Sequence, residues 1–333
     1  MRSTAVCLLT IGALLAGESA APPVSGEGGL RAGVRTARDT VPSLAAMVRL
    51  GASWDSNALL DHDPDRSHAA TAVYASEAAL TWRPWRDAQQ LLQLQAQVGY
   101  DRRPHLEDLD TLRCSVSAVG AQQVEQVTLG AALSATRLWQ SEEGAAAELR
   151  GGGSVAWMRL DHVDIFALEL ALLHIDAIND RPDQLSAVTS YGDPDPRSGL
   201  LTAAVWRHWW RWDRHRLEGA LRLGRYNARA EDESYVTAQP WAALRLRPEE
   251  WEIGLRVALD ARQYASEPAP ATDSEQSLTF SSSVSVDRHL AAGLWLGGLA
   301  AWSNRWSDVA GREYERWQAG VRLTWNFPSA TQE

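Results

Sequence analysis

The chain of 333 residues has no lysine; all 32 of its basic residues are arginine. It has two cysteines, and because Cys7 sits in the amino-terminal apolar run, Cys114 stands alone beyond it. A lone thiol excludes an intramolecular disulfide and a thiolate metal cluster. Past the first twenty-odd positions there is no unbroken apolar run of about twenty residues, which excludes a protein that crosses a membrane with helices. The arginines are scattered, the net charge is −10 and the isoelectric point is near 5.3. Nucleic acid would need a clustered basic patch and a high isoelectric point, so it is not a partner.

What the chain does have is tryptophan: sixteen against three phenylalanines, in a sequence that is 45% hydrophobic with a mean hydropathy of only −0.29. A soluble β protein and a membrane barrel both fit that balance, because a barrel strand carries a weak hydropathy signal. The placement of the tryptophans decides between them.

At the amino terminus Arg2 precedes an apolar run from Ala5 to Ala16, small residues through Ala21, and a Pro22-Pro23 break. This is the pattern of a secretory signal peptide, residues 1–21, cut near Ala20 or Ala21. A dozen apolar residues are too few for a membrane anchor. The remaining chain therefore works outside the cytoplasm. Residues 22–43, rich in Gly, Pro and small side chains, read as a periplasmic linker.

From Leu44 onward, ten to sixteen residues of alternation recur, each run ended by a turn or a polar loop. Leu92, Leu94, Ala96, Val98 and Tyr100 oppose Gln93, Gln95, Gln97 and Gly99. Trp251, Ile253, Leu255, Val257 and Leu259 oppose Glu252, Gly254, Arg256, Ala258 and Asp260. A period of two over such lengths is strand. Two stretches, 163–178 and 200–212, alternate poorly and are kept as strands because the loop rhythm requires them. Short connections near 84–87, 122–125, 160–162, 213–215, 248–250 and 289–292 alternate with longer ones at 56–68, 101–110, 140–145, 179–197, 229–234, 266–275 and 304–311. Short turns at one end and long loops at the other are the habit of bacterial membrane barrels.

The last run is the most informative. Trp317, Ala319, Val321, Leu323, Trp325 and Phe327 lie on one face, and Gln318, Gly320, Arg322, Thr324 and Asn326 on the other. Trp54, Trp82, Trp139, Trp251, Trp317 and Trp325 fall near strand ends on the apolar parity, as an interfacial girdle does. Turning Arg49, Arg113, Arg222, Arg256 and Arg322 toward lipid would cost about 2–4 kcal/mol each near the midplane. The expectation is an all-β fold: an antiparallel transmembrane barrel of about fourteen strands (12–16) over residues 44–327. Its termini are periplasmic, the tail 328–333 included, and it sits in the outer membrane of a Gram-negative bacterium.

The inward parity carries both signs, and Arg49, Arg113, Glu218, Arg222, Arg245, Glu252, Arg256, Asp260 and Arg322 are the expected pore lining. Fourteen strands enclose more space than the eight that side chains fill. A pore for small polar solutes follows, with mixed charge arguing against strong ion selectivity. An interior ion-pair network that plugs itself is the alternative.

Two resemblances add to this. Gln318, Gly320, Leu323, Trp325 and Phe327 resemble the carboxy-terminal signal by which outer-membrane barrels are recognised for assembly, although the chain runs on past the final aromatic. The segment Leu50-Gly51-Ala52-Ser53-Trp54-Asp55-Ser56-Asn57 resembles the opening of barrels in the surface lipoprotein assembly modifier family and related exopolysaccharide-export barrels, with Trp54 in place of a Tyr. Those families carry a tetratricopeptide domain, for which 22–43 is too short. That kinship implies an export or translocation barrel working with a periplasmic partner. Asp55-Ser56-Asn57 is equally a turn motif.

Neither a cofactor nor a catalytic set is expected. His174 with Asp176 shares a strand face, and His62, His68 and His105 fall in loops, but no nucleophile–base pattern joins them. A hydrolase at the rim is the least favoured reading. Asp61, His62, Asp63, Asp65 and His68 could ligate a cation, yet an acidic solvated loop explains them more simply, so no metal is assigned. The expected partners are outer-membrane lipid and lipopolysaccharide, the barrel assembly machinery and, for the export reading, a periplasmic protein.

Overall fold

The computed structural model describes residues 44–56, 70–86, 90–104, 110–140, 144–158, 162–177, 198–212, 214–229, 234–265, 276–308 and 313–328. The signal peptide, the linker, the tail 329–333 and the acidic stretch 61–68 lie outside them. The first seven strands are β1 (Leu44–Asp55), β2 (Thr71–Arg86), β3 (Gln90–Arg102), β4 (Thr111–Val124), β5 (Val127–Gln140), β6 (Gly144–Met158) and β7 (His162–Ala177). The other seven are β8 (Gly199–Trp212), β9 (His215–Ala228), β10 (Tyr235–Leu246), β11 (Trp251–Tyr264), β12 (Gln276–Ala291), β13 (Leu294–Ser307) and β14 (Tyr314–Pro328).

Each strand pairs antiparallel with its sequence neighbours, and β1 pairs with β14, so the sheet closes into a barrel. The closing register runs from Ala45 opposite Pro328 to Asp55 opposite Gln318. Closure removes every sheet edge, the condition for a β structure to stand in hydrocarbon, where an unpaired backbone group costs several kcal/mol. β1 begins and β14 ends at the end where the short connections lie.

The doubtful stretches 163–178 and 200–212 are strands β7 and β8, as the loop rhythm required. The alternation of connection lengths is less strict than expected. The supposed longer link at 140–145 shrinks to residues 141–143, because β5 continues to Gln140 and β6 starts at Gly144. Small residues at 144–147 let the pairing run to the strand ends, where a polar composition had suggested a loop.

The two faces differ as a membrane barrel demands. Outward positions are apolar and open: Leu168 is 70% exposed, Val321 61% and Val116 58%. The six girdle tryptophans are all exposed, and so are Trp157, Trp206, Trp210, Trp212 and Trp306. Such large apolar exposure on a water-soluble protein would be an aggregation hazard; facing acyl chains it is the stable arrangement. An apolar trough of about 820 Å³ crosses β1 to β7 on this side, between outward side chains such as Val48, Val98, Val116 and Leu149.

Gly320 shows why the closing seam tolerates no side chain at one point. A Cβ there would lie 2.5 Å from Ser53 Cβ and 2.7 Å from the Ala52 carbonyl oxygen, both fixed on β1. At the long-loop end of the seam, the Trp317 amide donates to Ser56 Oγ (2.7 Å) and the Ser56 amide donates to the Trp317 carbonyl (2.9 Å). Trp54-Asp55-Ser56 thus serves to close the cylinder.

Candidate functional site: the lumenal wall

Side chains alternate along a strand, so one register row in two faces the interior. The inward rows hold the charges. Arg49 donates to Glu77 (3.2 Å) and to Thr324 Oγ1 (3.3 Å). Arg322 reaches Asp287 across β13, with Nε 3.0 Å from Oδ1. The residue between them in the register row is Gly297, whose lack of a side chain leaves room for the pair; a Cβ there would come within 3.1 Å of Arg322 Nε. Arg222 of β9 lies 3.0 Å from Glu169 of β7. Arg262 donates twice to Asp260, at 2.9 and 2.6 Å, and Asp260 also accepts from Thr237 Oγ1 at 2.7 Å. Arg245 and Arg247 share Glu252, at 3.2 and 2.7 Å. Glu218 accepts from Arg216, and Asp55 from Arg316 and Gln318.

All nine residues expected to line a pore point inward. Arg245 and Glu252 are joined directly to each other. Arg49, Glu218, Arg222, Asp260 and Arg322 pair with groups outside that set: Glu77, Arg216, Glu169, Arg262 and Asp287. Glu169 was legible in principle: it shares parity with Ala167 and Ala171, opposite the greasy Phe166, Leu168, Leu170 and Leu172. Arg113 lies over Gly99, its Nη2 3.5 Å from where a Cβ would stand. Arg256 and Arg207 both stand over the inward indole of Trp241, at 5.6 and 5.2 Å from the ring centre.

The interior is therefore a paired ionic lining, and pairing of the inward charges was a feature of the alternative reading, the interior ion-pair network. Some members are deeply buried, Asp55 at 1% and Glu218 at 5%. Others remain open within the cylinder: the side chains of Arg150, Arg245 and Arg216 are 31%, 25% and 24% exposed. Toward the long-loop end of β5–β10 the lining turns apolar, where Leu138, Ala146, Leu173 and Tyr226 pack together with Leu201 and Tyr235 against them. Tyr226, Tyr235 and Tyr264 stack as neighbours in one row, ring centres 5.2 Å apart at each step.

Of the residues weighed for catalysis, His174 is exposed on the outward parity, and His62, His68 and His105 lie outside the described residues. A different histidine has a partner. His208 Nδ1 lies 2.6 Å from Asp164 Oδ1 on the outer face, between Trp206 and Trp210, with His162 stacked at 5.4 Å. Its Nε2 is buried and has no hydrogen-bond partner. The residues directly across from it are Asp164 and Gly219, and neither side of its own strand offers a nucleophile. Among the described residues no group of three His, Cys, Asp or Glu side chains is placed to hold a metal.

A closed fourteen-stranded cylinder, apolar without and ionic within, is an outer-membrane β-barrel. No family model matches the chain and no curated protein matches it. Among solved structures it is similar to an anion-selective porin from Comamonas acidovorans (11% identity, 85% of this chain and 98% of that chain, TM-score 0.45). It is also similar to a Pseudomonas aeruginosa FadL homologue (10% identity, 86% and 91%, TM-score 0.44). A third is CdiB from Acinetobacter baumannii (10% identity, 85% of this chain, TM-score 0.43), of whose length this chain spans 60%.

Proposed function

We propose that the chain is a channel for small polar solutes across the outer membrane. The observation that carries this reading is the partly open ionic wall inside the closed cylinder. Paired arginines and carboxylates cost several kcal/mol to desolvate in a dry interior, whereas those that line a hydrated path keep much of their solvation. Arg49, Arg113, Glu218, Arg222, Arg245, Glu252, Arg256, Asp260 and Arg322 are the proposed lining, and the salt bridges among their rows set its width. The carboxy-terminal residues Gln318, Gly320, Leu323, Trp325 and Phe327 are proposed as the mark by which the assembly machinery receives the chain; Leu323, Trp325 and Phe327 face lipid and are exposed.

The test is electrical. Purified, folded protein inserted into planar bilayers is expected to give stepwise conductance, and proteoliposomes to swell in small sugars. Silent bilayers at every voltage, together with vesicles that do not swell, would refute the channel.

A further inference from the structure

The sequence reading foresaw an even mix of charge, but the charges are unevenly spread around the lumen. On β1–β4 the inward positions hold Arg49, Arg83 and Arg113 against Asp55, Glu77 and Asp101, an even balance. On β8–β11 the inward arginines number seven and the carboxylates three, Glu218, Glu252 and Asp260. Three of those arginines are immediate cross-strand neighbours: Arg211 stands opposite Arg216, and Arg216 opposite Arg245. Like charges directly opposite in a sheet repel. Glu218 offsets Arg216 and Glu252 offsets Arg245, but Arg211 is exposed and has no carboxylate partner among the described residues.

A short step along the same strands, Arg207 and Arg256 flank Trp241. The inward residues of these register rows are Ala220, Ala243 and Ala258 together with Trp241, Glu218 and the buried Trp209, which stands between Arg207 and Arg211 on β8. A row of guanidinium groups suits a planar or tetrahedral oxyanion, which it binds in a fork. With Arg222 paired to Glu169 of β7, the surplus on this wall is three positive charges, which also raises the local concentration of anions.

We propose that the lumenal wall of β8–β11 is a binding site for small oxyanions, carboxylates or phosphates, and that it gives the channel an anion preference. The preference rests on the channel reading above; the site rests on the arginine rows alone. Two measurements on the full folded chain separate them. Under a salt gradient in planar bilayers, the reversal potential is expected to take the sign of anion preference. Calorimetric titration in detergent with inorganic phosphate and, separately, with succinate is expected to show saturable binding and to tell the two oxyanions apart. The variant Arg211→Gln/Arg256→Gln is expected to weaken binding by about tenfold, the scale of one lost charge-assisted hydrogen bond, and to move the reversal potential toward zero. Arg211→Lys keeps the charge without the fork, so the preference stays while binding weakens. The outward-facing Arg225→Gln leaves both unchanged. Conductance without anion preference, or binding that Arg211→Gln/Arg256→Gln does not weaken, overturns the proposal while the channel stands. Silent bilayers remove the channel and the preference with it, and the site then stands or falls on the titrations.

Discussion

Removing Asp55 should cost the barrel more than removing any exposed carboxylate. It is the last residue of β1 and is only 1% exposed. Its carboxylate accepts from Arg316 Nε at 2.9 and 3.1 Å, from Arg316 Nη2, and from Gln318 Nε2 at 3.1 Å. Asp55→Ala leaves the Arg316 guanidinium, itself 15% exposed, without its counter-charge at the seam. Breaking one partner of such a buried pair costs about 3–5 kcal/mol. Removing both is milder, because the Arg316 charge goes with its partner, so Asp55→Ala/Arg316→Met is expected to recover part of the loss. The assay is equilibrium unfolding by guanidinium in phospholipid vesicles, followed by tryptophan fluorescence. A cost below about 1 kcal/mol for Asp55→Ala, the range of a surface ion pair, would refute the reasoning, as would a double variant no better than the single one.

Gly320→Val should prevent β14 from docking on β1, whereas Gly298→Ala, whose added Cβ meets nothing nearer than a carbonyl oxygen at 3.9 Å, should fold normally; yields of the heat-resistant folded form on gels compare them. Leu168→Arg, at mid-strand on the lipid face, is expected to lose about 2–4 kcal/mol of stability, and an unfolding midpoint equal to the parent's would show that this face does not meet lipid.

Period two was enough to place strands such as β3, β11 and β14, because each alternates cleanly through its middle. It also gave the face of each arginine named as lining. What it could not give was register, which depends on partners tens or hundreds of residues away. The link between Arg322 and Asp287 depends on Gly297 falling between them. The contact of His208 with Asp164 spans 44 positions. In β8, Trp occurs on both parities, so hydropathy alone could not decide that Trp209 points in while Trp206 and Trp210 point out. The short link at 141–143 escaped for a related reason: Glu142 and Glu143 look like loop, and only the pairing of Gln140 with Gly144 shows how far the strands extend. The arginine excess of β8–β11 emerges only when parity is summed over neighbouring strands.

That the first strand finds its partner in the last has a consequence for biogenesis. Every other strand meets a neighbour made moments earlier, but β1 must wait for β14. Until then, two raw borders of unmet amides and carbonyls face the bilayer, which has nothing to offer them. A nascent chain cut short anywhere before Tyr314 therefore has no stable resting state in the membrane.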